Sequence, residues 1–169
     1  PAAPTIPPTD PAYGVGVALA ARVTELGTAL GTVNQRLAGV RAQNDEIVRG
    51  SMELEERFTA ARRIVEYGSS DALGTALLRY RAELESFALS DPTERLPRDI
   101  GAGIIRNINY EETLDKLVSA SGFVNQQLRD AGLQPESIAA DTRAALLDLV
   151  PVYRDRLRAA MTAESDYIA

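Results

Sequence analysis

Residues 19–65 read LAARVTELGTALGTVNQRLAGVRAQNDEIVRGSMELEERFTAARRIV, and the spacing of their apolar side chains decides the fold. Two rows of positions alternate at steps of four and three. One row is Leu19, Leu26, Val33, Val40, Ile47, Leu54 and Ala61; the other is Val23, Leu30, Leu37, Asn44, Ser51, Phe58 and Val65. Twelve of these fourteen positions are apolar and the phase never slips. Apolar residues that recur every 3.5 positions on average form one stripe along a helix, and such a stripe is buried only against another helix. A helix over this stretch would be roughly 70 Å long, well beyond the usual globular length.

The fold expected is therefore all-α: an elongated antiparallel helical bundle or coiled coil of about four helices, the first very long. Its expected core is Leu19, Val23, Leu26, Leu30, Val33, Leu37, Val40, Ile47, Leu54, Phe58 and Val65. Asn44 and Ser51 interrupt the stripe one heptad apart. They read either as a polar core layer that fixes register or as a stretch of lower burial. Gly50-Ser51 offers a place to turn, but the ladder keeps its phase across it, which favours one continuous helix.

Working outward, residues 1–16 open with PAAPTIPPTDP, five prolines in eleven residues. Proline fixes φ and removes an amide donor, so this segment is expected to be a flexible tether. A single helical bundle is expected over 17–169, with helices near 17–67, 70–88, 98–131 and 135–169. Gly68 suits the end of the first, and Ser69, Ser70 and Asp71 offer caps for the second. Leu73, Leu77, Tyr80, Leu84 and Phe87 form the second stripe, and the short link implies an antiparallel hairpin. Ile100, Ile104 and Ile108 share a face of the third helix, and Asn109 with Glu112 marks a possible restart. The fourth carries Ile138, Leu146, Val150, Tyr153, Leu157 and Met161, with a kink or break expected at Pro151.

Composition narrows the chemistry. The formal charge is −6, from 24 acidic and 18 basic residues, which argues against nucleic acid, whose binding rests on clustered Lys and Arg. All basic residues but Lys116 are Arg, a bias read as that of a GC-rich bacterial genome. There is no cysteine and no histidine, so disulfides, thiolate nucleophiles and histidine bases are excluded. The carboxylates Glu53, Glu55, Glu56, Glu111, Glu112 and Asp115 alternate with Arg57, Arg62, Arg63 and Lys116 at helical spacings, the pattern of a solvated face. Gly101-Ala-Gly103 follows no strand and lacks the lysine of a phosphate loop. No catalytic, cofactor or metal site is expected. The chain does not begin with Met and ends in helical pattern, which reads as a segment of a longer protein.

Residues 60–68 (AARRIVEYG) and 72–84 (ALGTALLRYRAEL), the latter carrying Leu73-Gly74, Leu77, Arg81 and Leu84, resemble a feature of the large mechanosensitive channels of bacteria. These are the big members, including the potassium-dependent type, of the small-conductance mechanosensitive channel superfamily. Residues 123–128 (FVNQQL) and the terminal Tyr153-Arg-Asp-Arg-Leu and Glu164-Ser-Asp-Tyr-Ile runs are similar to helices leading toward that family's membrane part. The resemblance covers residues 20–169, while the chain itself stops before any transmembrane helix. It implies an extracytoplasmic, periplasmic helical accessory domain of an inner-membrane ion channel that opens in osmotic shock. The implied partners are the rest of its own polypeptide and like subunits in a homo-oligomer, with cell-envelope components as further contacts. Two other classes fit the residues: a structural coiled-coil module that tethers or assembles envelope components, and a ligand-sensing helical bundle of a membrane receptor. The last requires a polar pocket, and no convergent Arg or aromatic set is visible in the sequence.

Overall fold

The computed structural model describes residues 5–67, 74, 75, 78, 79, 81, 82 and 96–169. Among the described residues all regular structure is helical. Four α-helices are delimited: α1 (Tyr13–Tyr67), α2 (Leu96–Lys116), α3 (Ala120–Asp130) and α4 (Ala140–Ile168), with one 3-10 turn at Pro135–Ser137. The first is 55 residues long and unbroken at Gly50-Ser51. Residues 74, 75, 78, 79, 81 and 82 are also helical; most of the helix expected at 70–88 lies outside the described residues. The chain divides into two compact units, Pro1–Leu37 with Ile100–Ala169, and Ala38–Asp99.

The first unit is an up-down-up bundle. Asp10 meets the start of α4 at Thr142, and further along Leu26 lines one groove with Tyr153 and Leu157, so α1 and α4 run parallel. Arg106 pairs with Glu164, while Arg154 donates to the Leu117 carbonyl and Arg143 to Asn125. Hence α2 and α3 run end to end back along α4. Ile6, Ala12, Leu19, Val23 and Leu26 share one core with Leu117, Phe123, Val124, Leu128, Leu146, Val150, Tyr153 and Leu157. Each large aliphatic side chain buried here stabilises the unit by roughly 1.5–3 kcal/mol relative to exposure. The Phe123 and Tyr153 rings meet at a centroid distance of 6.3 Å, tilted by 43°.

Several expectations need correction. The proline-rich start is not a free tether over its whole length: Ile6 is 4% exposed and Ala12 fully buried. Asp10 anchors it, accepting the Ala12 amide at 2.8 Å and the Thr142 hydroxyl at 2.6 Å, and α1 starts at Tyr13. The helix expected at 98–131 is two helices. Leu117 and Val118 close 3-10-type bonds to Leu114 and Asp115, and Ser119 then caps α3 by accepting the Gly122 amide. Its other end closes at Gly132, φ +76°, with the Leu133 amide bonded to the Leu128 carbonyl, the left-handed cap that glycine favours. The last helix begins at Ala140, because Pro135 opens a 3-10 turn instead. It runs through Pro151, which is exposed and leaves the Leu147 carbonyl without its amide partner.

Candidate functional site

Burial along the α1 ladder is uneven. Leu19, Val23, Leu26, Val33 and, near the far end, Ala61 are buried; Leu30, Leu37, Val40 and Leu54 are partly buried. Ile47 is 50% exposed and Phe58 69%, and the Val65 side chain lies outside the described ones. Asn44 and Ser51 are exposed in this chain. A periodic stripe specifies which face of a helix seeks cover, not which part receives it. In the first unit Leu117, Phe123, Val124 and the α4 row supply that cover. Beyond Leu37, Ile47, Val48, Met52 and Phe58 present apolar side chains outward.

Two features of the first unit could carry chemistry. One is a groove of about 310 Å³ where α1, α2 and α4 meet, lined by Arg22, Glu25, Leu26, Ala29, Asn109, Tyr110, Thr113, Tyr153 and Leu157. Leu26, Ala29 and Leu157 make its apolar part. Arg22 also donates to Gln127 at 3.1 Å. Burial pushes the Tyr153 phenol above its ordinary value, while Arg22 pulls it down and Glu25 pushes it up. Burial also raises Tyr110, reinforced by the Glu164 carboxylate and opposed by Arg106. The sequence alone shows no convergence of Arg22, Tyr110 and Tyr153, because they come from three helices and share no spacing.

The second is a polar layer between α2 and α4. Glu164 is 1% exposed, and Arg106 holds both its oxygens, Nε to Oε1 and Nη2 to Oε2. Beside them the Asn107 amide donates to Ser165 Oγ at 3.1 Å and toward the Met161 carbonyl at 3.4 Å, while its buried Oδ1 has no hydrogen-bond partner. The signal for Glu164 was present in the sequence: it lies seven residues beyond Leu157, on the same stripe.

Among the described residues no group of carboxylates is placed to hold a metal ion, and no helix is long and apolar enough to cross a membrane. Comparison with protein-family models, with curated proteins and with solved structures finds no match to this chain.

Proposed function

We propose that this chain is an extracytoplasmic helical accessory domain of a mechanosensitive ion channel that acts in osmotic shock, joined to the channel part of its own polypeptide and to like subunits. The observation that supports this reading is the unequal ladder of α1. One continuous stripe buries Leu19, Val23, Leu26 and Val33 and carries exposed apolar side chains at Ile47 and Phe58, with Val48 and Met52 exposed beside it. A face of this kind suits assembly against another helix, and the channel-like residues 60–68, 72–84, 123–128 and 153–168 supply the setting. Without that resemblance the same face supports the tether or assembly coiled coil. The two readings part on membrane attachment.

An immunoblot of fractionated native cells decides between them. The channel reading expects a band several times the 18.2 kDa of this chain in the inner-membrane fraction, and lysis of deletion cells on osmotic down-shock. A band near that mass released with the periplasm overturns it and leaves the tether. The groove lined by Arg22, Glu25, Tyr110 and Tyr153 favours a ligand-sensing bundle as a second reading. It expects a small molecule with an apolar body and a charged head to raise the melting temperature, and Ala29→Trp, which fills the groove, to abolish the rise.

A further inference from the structure

We infer that the Arg106–Glu164 pair is a register lock, a buried charge contact that sets the height at which α4 packs along α2. The inward row of α4 is Thr142, Leu146, Val150, Tyr153, Leu157, Ala160, Ala163 and Glu164, and Glu164 is its one carboxylate. Facing it, Gly103, Arg106, Asn107, Tyr110 and Leu114 line the partly or fully buried side of α2, and Arg106 is the one charged residue among them. An apolar row against an apolar row tolerates a slide of one turn, because each step replaces one aliphatic contact by another. The charge pair does not. One turn away along α4, Arg106 would face Ala160 or Ile168, and Glu164 would be left buried without its cation.

Two neighbours tighten the choice. A β-carbon on Gly103 would stand 2.9 Å from Glu164 Oε2, so the carboxylate occupies space that only glycine leaves free. Asn107 adds a second bond in the same register through Ser165. A buried ion pair is a poor source of stability against an apolar replacement of similar volume, and its best-attested use is to specify alignment. Arg106 retains 34% side-chain exposure against 1% for Glu164, so the desolvated partner, which most needs its counter-charge, is the one on α4.

The full chain contains no cysteine, so spin labels at Glu112→Cys and Asp148→Cys, both exposed and well separated along the bundle, report the height of α4 against α2. Pulsed dipolar spectroscopy of the labelled parent should give one narrow distance. In the Arg106→Met/Glu164→Leu background a second population should appear, shifted by several ångströms as one helical turn of ~5.4 Å requires, while helicity is retained. A single distance identical to the parent's in that folded variant overturns the inference. Should the double variant fail to fold, Glu164→Gln decides, since it keeps the shape and removes the charge. Its distribution splits if charge sets register, and a single parental distance overturns the lock.

Discussion

The two halves of α1 carry the same apolar rhythm and meet different fates. Between Tyr13 and Leu37 the stripe sinks Leu19, Val23 and Leu26 into a core completed by α2, α3 and α4, and Val33 is buried beyond them. From Ala38 to Tyr67 the same phase carries Ile47 and Phe58 at 50% and 69% exposure, with Ala61 buried. The halves differ little as helices and greatly in what covers them. Periodicity is a property of one element, whereas burial is a property of two.

Charge placed on the stripe should break the comparison most sharply. Val23→Asp buries an unpaired carboxylate in the core and should abolish the cooperative thermal transition followed by circular dichroism. Ile47→Asp, on an exposed position of the same ladder, should change stability by no more than about 0.5 kcal/mol. Equal losses at the two sites would mean that both halves are equally covered.

Removing cover from the other side should have the next largest effect. Leu146 is fully buried on α4, and Leu146→Ala should destabilise the first unit by about 2–5 kcal/mol in urea denaturation. Amide exchange of Leu19–Val33 should accelerate with it. A smaller substitution pair tests the halves as bare helices. Gly31 and Gly39 lie in different units, and a β-carbon at either meets nothing within 4 Å. Gly31→Ala and Gly39→Ala should each stabilise by about 1 kcal/mol, and a gain at one position alone would show that the halves differ in backbone as well as in cover.

The smallest effect concerns the anchor at the start of the first half. Hydrogen bonds from the Thr142 hydroxyl and the Ala12 amide hold the Asp10 carboxyl below its ordinary 3.8. A carboxylate whose folded-state pKa is depressed contributes stability above its unfolded value and loses it as pH falls through the folded one. The melting temperature should therefore fall below about pH 4, and Asp10→Asn should flatten that acid limb while lowering stability at neutral pH. An unchanged limb would remove Asp10 from the account.

The helical class was legible because heptad spacing has one physical solution, and the expected end near 131 falls where α3 closes, at Gly132, whose positive φ favours glycine. The break at Ser119 was not, since Leu114, Leu117, Val118, Val124 and Leu128 keep an approximate helical rhythm across it, and a lone serine cap is a weak signal. Ile6 was missed for a related reason: a single apolar residue among prolines shows no period, although it ends 4% exposed. Of the candidate sites, Glu164 could have been found by carrying the α4 stripe one step further. The groove could not, because the rendezvous of Arg22, Tyr110 and Tyr153 exists only after three helices have packed.

The bond between Asp10 and Thr142 joins residues 132 positions apart, and that separation is also an interval of time. A ribosome adding about 5–20 residues per second makes Thr142 on the order of ten seconds after Asp10. For most of that interval Leu19, Val23 and Leu26 are already synthesised and their native cover on α4 is not. The nascent chain must therefore shelter this stripe by other means, in a transient pairing or on a chaperone, before the first unit can close.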